Sequence, residues 1–201
     1  STAVKEGVKP IIGIEAYVTP ETARQDQTRV SWDTNWNPDI DPQHRRRNPN
    51  DVSGGGLITH LTMWAETDEG LVNLMKASTD ANLEGRVMRY PRMDKEILAK
   101  YSKGIIASSG CPSGIIQTRL LLGQFDEALR AAGELQDIFG RDNFYIEFMD
   151  HGLKIEKQVT DGLLDIAKKL NAPLLATNDS HYVRAEDAGS QDAMLCINSG
   201  S

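Results

Sequence analysis

Phe144-Tyr-Ile-Glu-Phe148, the segment from Ile155 to Leu170, and Pro173-Leu-Leu-Ala-Thr177 stand in succession, separated by short connections. The first and third are short apolar runs of the kind that form buried strands, and the segment between them has the length and apolar spacing of a helix. Strand, helix and strand in that order make a parallel β/α unit. The alternation extends upstream. Ile105-Ile106-Ala107 reads as a short buried strand, Gly110-Cys111-Pro112-Ser113-Gly114 as a turn, and residues 115–122 and 125–139 as amphipathic helices. Earlier still, Pro10 to Val18 and Leu57 to Ala65 read as strands, and Asp68 is placed to cap a helix carrying Leu71, Leu74 and Met75. A last helix is expected from Ala185 to Cys196. The pattern predicts an α/β domain of parallel units, layered or closed into a barrel. Residues 20–56 break it: four prolines, Arg45 to Arg47 and a Gly54-Gly55-Gly56 exit read as one long loop.

The composition, 39% hydrophobic and 25% charged over 201 residues, is that of a globular domain with one sizeable core. No apolar run approaches the roughly 20 residues of a membrane helix, and the first residues lack a signal-peptide layout, so a cytoplasmic location is expected. Two cysteines in unlike contexts argue against a disulfide framework. A formal charge of −7 means that any nucleic-acid contact has to be local.

Side chains at the carboxyl ends of parallel strands face the functional side. Glu15, His60, Cys111, Asp179 and His181 fall at or near such positions, and all are metal-ligand types. Each also has an ordinary reading. A strand histidine such as His60 is commonly a hydrogen-bonded core residue. Cys111 reads equally as a small hydrophobe, and Cys196, beside Met194 and Leu195, more plainly as helix packing. Asp179 suits a turn before the last helix. Glu15 has the weakest ordinary reading, since an acid within an apolar strand is costly to bury unless paired or bound to a metal. In extended backbone Asp179 and His181, two apart, would project to one side. Carboxylate, imidazole and thiolate together suit zinc, manganese or iron, and such ions support phosphoester hydrolysis. Asp150-His151-Gly152 reads as a strand-exit turn or a ligand, and His44 as a solvated loop residue. Neither a P-loop nor a Rossmann fingerprint nor a nucleophile elbow is present.

Lys9-Pro-Ile-Ile-Gly-Ile-Glu-Ala-Tyr17, Thr59-His-Leu-Thr-Met63, Ser109-Gly-Cys-Pro-Ser-Gly114, Phe148-Met-Asp-His-Gly152 and Ala176-Thr-Asn-Asp-Ser-His-Tyr182 resemble, in order, the polymerase-and-histidinol-phosphatase (PHP) domain of bacterial DNA polymerase III alpha subunits, the actinobacterial replicative form most of all. The resemblance covers nearly the whole chain. It implies a distorted barrel of seven β/α units with a cluster of divalent metal ions, and it places Glu15, His60, Cys111, Asp179 and His181 on metal-ligand positions at one end of the sheet. The family's His-x-His motif, a nearby acid and a further His precede the position matching Ser1. The resemblance therefore implies a partial PHP domain over 1–201, lacking its first β/α units, with an insertion at about 33–50 and with the polymerase palm, thumb and fingers elsewhere. It further implies metal-dependent 3′-to-5′ exonuclease proofreading in the parent polymerase, and as partners DNA at the primer 3′ end and replisome subunits such as the sliding clamp. A metal-stabilised scaffold without chemistry and a stand-alone phosphatase are the alternatives.

Overall fold

The computed structural model describes residues 2–33 and 56–199. Within them lie β1 (Gly13–Val18), β2 (Thr59–Ala65), β3 (Arg86–Val87), β4 (Tyr90–Met93), β5 (Ile105–Ser108), β6 (Phe144–Phe148) and β7 (Leu174–Ala176). The helices are α1 (Thr2–Lys5), α2 (Asp68–Glu84), α3 (Lys95–Tyr101), α4 (Ile115–Leu121), α5 (Phe125–Phe139), α6 (Lys154–Leu170) and α7 (Ala188–Ser199), the last preceded by a 3-10 turn at Ala185–Asp187. The strands form one open, mixed sheet in the order β3-β4-β1-β2-β5-β6-β7.

β5, β6 and β7 are parallel, as the alternation requires. β2 is not: it runs antiparallel to both β1 and β5. An all-parallel reading therefore fails at this strand. The reversal matters for the site, because it brings the start of β2 to the end of β1, with His60 opposite Tyr17 and Thr59 opposite Val18.

The helices pack on the sheet through apolar stripes. α5 buries Ala128, Ala131, Ala132, Leu135 and Phe139, and α6 buries Val159, Leu163, Ile166 and Ala167. Beneath them Phe144 and Ile146 of β6 are fully buried, and each such side chain contributes about 1.5–3 kcal/mol. α2 is capped by Thr67, one residue before the expected Asp68, through its hydroxyl accepting from the Gly70 N–H. Gly70 permits the helix to sit on the turn before β5: a Cβ there would lie 1.7 Å from the Gly104 carbonyl oxygen. The β3–β4 hairpin and α3 occupy a region that the apolar pattern leaves unassigned. Asp94 starts α3 by accepting from the Ile97 N–H.

Residues 19–33 are fastened to the body by cations. Arg92, with no exposed surface, donates to the carbonyls of Gly85, Leu57, Arg24 and Asp26. Arg119 pairs with Glu21 and lies 4.2 Å from the centroid of the Trp32 ring. The inferred insertion, His44 and Arg45 to Arg47 lie outside the described residues. At the other end, α7 presents Met194, Leu195 and Ile197 to solvent, and Cys196 is exposed with them. The expectation that Cys196 packs is thus corrected: the apolar residues beside it do not enter the core.

Candidate metal centre

Glu15 interrupts the apolar run of β1 in the middle of the strand, earlier than the strand end expected from the sequence. On the sheet, Glu15 and Tyr17 of β1 share a face with Thr62 and His60 of β2, their register partners. The opposite face carries Ala16, Leu61 and Met63 into the core. The glutamate thereby reaches His60, whose Nδ1 lies 2.7 Å from Glu15 Oε1.

Cys111 arrives from the turn after β5. That turn is fixed at several points: the His60 N–H donates to the Ser113 carbonyl at 3.0 Å, the Gly114 N–H closes on the Cys111 carbonyl at 2.8 Å, and Gln117 Nε2 donates to the Gly110 carbonyl at 2.7 Å. Cys111 Sγ stands 3.5 Å from His60 Nδ1 and 3.8 Å from Glu15 Oε1. The three donor atoms lie within 4.8 Å of one another, a spacing from which one cation can draw all three. Carboxylate, imidazole and thiol make a donor set of the kind that holds zinc, manganese or iron.

The electrostatics fit that use. Hydrogen bonding from His60 holds the Glu15 carboxyl below its ordinary range against the opposing effect of burial, and the charge of His181 adds to this. Burial works against the His60 imidazolium, but Cys111 and Glu15 outweigh it and push His60 up to about 10. An ion held by Glu15, His60 and Cys111 would need the imidazole unprotonated at the atom that binds it, so its binding would be coupled to pH.

Asp179 and His181 lie outside that group. Asp179 has φ 44°, in the left-handed region that Asp tolerates, and His181 Nδ1 donates to the Asp179 carbonyl at 2.6 Å. The segment is a turn, which corrects the extended two-residue alternation expected for it. Both residues line a cavity of about 460 Å³ with Pro112, Met149, His151 and Tyr182, immediately beside the Cys111 turn.

Two supports of this end of the sheet stand behind the donors, one unread in the sequence and the other read there only as a strand-exit turn or a ligand. Glu147, buried in β6, accepts from Ser108 of β5 and from Thr177 beyond β7, tying three strands where they end. Its signal was an acid inside Phe-Tyr-Ile-Glu-Phe, the same signal that marks Glu15. His151 joins the exits of β6 and β7: Nδ1 meets Glu156 Oε1 at 2.5 Å and Nε2 donates to the Asn178 carbonyl at 2.9 Å. Glu156 also accepts from the backbone N–H groups of His151 and Leu153. His151 therefore acts as a brace for the loop that carries Asp179.

Comparison with known proteins bears on the family of the chain. Over 200 residues, 100% of the chain is 49% identical to DNA polymerase III subunit alpha of Mycobacterium tuberculosis (strain ATCC 25618 / H37Rv), covering 16% of that protein. The corresponding subunit of Saccharopolyspora erythraea is 52% identical over 198 residues, 98% of the chain and 16% of its own length, and that of Thermus aquaticus 37% over 197 residues, 98% and 14%. The chain thus spans about a sixth of the length of these relatives. A sequence model of the PHP domain matches residues 1–151, which include Glu15, His60 and Cys111 on their three elements, and the chain belongs to the PHP domain family.

Proposed function

We propose that this chain is the PHP portion of a replicative DNA polymerase III alpha subunit, a DNA-directed DNA polymerase, and that it serves metal-dependent 3′-to-5′ removal of a mismatched terminal nucleotide. The observation that carries the reading is the convergence of Glu15, His60 and Cys111 from three separate chain segments. The relatives, of which this chain is about a sixth, favour a polymerase parent over a stand-alone phosphatase.

Glu15, His60 and Cys111 would hold one divalent ion, with Asp179 and His181 in the adjoining cavity available to a second. Zinc, manganese and iron all suit these donors, and such an ion, when bound, supplies Lewis-acid activation of water and stabilises charge on phosphate oxygens. The chain's own residues do the positioning. Glu15, His60 and Cys111 would offer a carboxylate oxygen, an imidazole nitrogen and a sulfur as donors, and the His151–Glu156 pair fixes the β7 exit. DNA at the primer 3′ end, and replisome subunits such as the sliding clamp, are the partners of this reading. The cytoplasm is its compartment, in keeping with the lack, among the described residues, of a helix long and apolar enough to cross a membrane.

The test is a nuclease assay on the full-length polypeptide, with polymerisation disabled and any separate proofreading subunit removed. Metal-dependent release of 3′ nucleotides is expected. A preparation that retains its ions but releases none would overturn the reading and favour a metal-stabilised scaffold. That second reading draws on the placement of Asp179 and His181 outside the three-residue group.

A further inference from the structure

We propose that Arg86, Arg89, Tyr90 and Tyr17 form a guide for single-stranded DNA, leading a 3′ end along the sheet to Glu15, His60 and Cys111. The inference rests on the nuclease reading above and names the path its substrate takes.

The chain carries a net charge of −7, so attraction for a polyanion must be concentrated locally. Residues 86–92, Arg-Val-Met-Arg-Tyr-Pro-Arg, contain three arginines and no acid. Arg92 is consumed inside the protein by backbone carbonyls. Arg86 and Arg89 are exposed on the β3–β4 hairpin. Glu84, the preceding acid, is engaged by Arg24 at 2.7 Å.

From the hairpin a line of rings runs to the candidate metal centre. The Arg89 guanidinium lies 5.3 Å from the Tyr90 centroid, Tyr90 meets Tyr17 edge-on at 5.1 Å, and Tyr17 lies 5.5 Å from the His60 ring. Tyr17 stands opposite His60 and on the Glu15 face of the sheet. Both tyrosines are half-buried, anchored yet open in part to solvent. Cations followed by aromatic faces are what a single strand requires, the first for phosphates and the second for unstacked bases. A duplex, whose bases already stack on one another, gains nothing from the rings. An acidic peptide would be drawn to the arginines too, but it carries no unstacked bases for the rings.

The experiment uses the full-length polypeptide and oligothymidylate carrying one 5-iododeoxyuridine, irradiated in the presence of a chelator so that no cleavage intervenes. With the label near the 3′ end, crosslinks should map to the peptides bearing Tyr17 and Tyr90, and they should fade as the label moves toward the 5′ end. In a parallel assay with metal, the double variant Arg86→Ser, Arg89→Ser should raise KM for 3′ nucleotide release about tenfold. It should leave kcat and metal content unchanged and reduce the salt dependence of KM by about 1.4 logarithmic units per decade, the loss of two phosphate contacts. Tyr90→Phe should behave as the parent, and Tyr90→Ala should weaken binding. Crosslinks confined to other regions, or a double variant with unchanged KM and salt dependence, would overturn the guide. Mapped crosslinks without cleavage in any metal would leave the guide standing and remove the nuclease, whereas cleavage without such crosslinks would do the reverse.

Discussion

The β1–β2–β5 side of the sheet and the β6–β7 exits hold their polar residues in different ways. On the first side, Glu15 and His60 sit on paired strands whose ladder sets their separation, and Cys111 sits on a turn bonded to the start of β2. At the β6–β7 exits, Asp179 and His181 lie beyond the three-residue strand β7, in a turn held by the His151 brace. A ladder fixes side chains through many cooperative bonds, whereas a turn depends on a few. The first side holds its donor atoms in place through the ladder itself, and the second needs its brace.

Metal affinity gives the largest separation between the two. Cys111→Ala should weaken binding of a divalent ion more than about a hundredfold, beyond the 10- to 100-fold expected for a supporting residue, while Cys196→Ala should leave it unchanged. Metal titration of both variants of the full-length polypeptide measures this, and equal mild losses would mean that Cys111 is only a packing residue. Next comes the joint between the two regions. Glu147→Ala strands the Ser108 and Thr177 hydroxyls and should cost about 2 kcal/mol of local stability, read as faster amide exchange across β5, β6 and β7 with β1 and β2 unaffected.

The brace should give a smaller effect. His151→Ala should lower metal affinity about tenfold while exchange in β1 and β2 stays the same. His151→Arg should recover most of the loss, because a guanidinium can donate to both Glu156 and Asn178. If His151→Ala matched Cys111→Ala, the contrast between the regions would fail. Smallest is a pH effect. The Glu156 hydrogen bond raises His151 above its ordinary 6.5, so the pair's contribution is full below that value and is lost as pH rises through the raised one. Burial works against the Glu156 charge, but His151 prevails and holds the carboxyl below 4.5, so the contribution is also lost as pH falls through that lowered value. The stability difference between parent and His151→Ala in urea should therefore be greatest between about pH 4.5 and 6.5. A difference that grew above pH 6.5 would contradict the pairing.

Much of the fold was legible because apolar spacing reports burial. Phe125–Phe139 and Phe144–Phe148 occur as elements with the bounds read from the sequence. Strand direction was not legible, since an apolar run is the same read either way, and the reversal of β2 went unseen. The hairpin at 86–93 was hidden by arginines and a proline that carry no alternation, and Asp94 signals only the helix that follows it. In the site, Glu15 stood out as an acid in an apolar strand. Glu147 gave the same signal, but its side chain is spent on Ser108 and Thr177, partners that no local pattern in the sequence announces. The turn at Asp179 depends on a backbone angle that the residue type permits without demanding.

The fastening of residues 19–33 rests at its far end on one glycine. The Val30 N–H donates to the Gly56 carbonyl at 2.9 Å, and Gly56, at φ 74°, has no room for a Cβ against the Val30 backbone. Val30 and Gly56 are thus clasped to one another, and Arg92 and Arg119 hold the residues before Val30 to the body. A side chain at position 56 would part that clasp before it touched the core, so Gly56→Ala should show first as faster exchange of the Val30 amide.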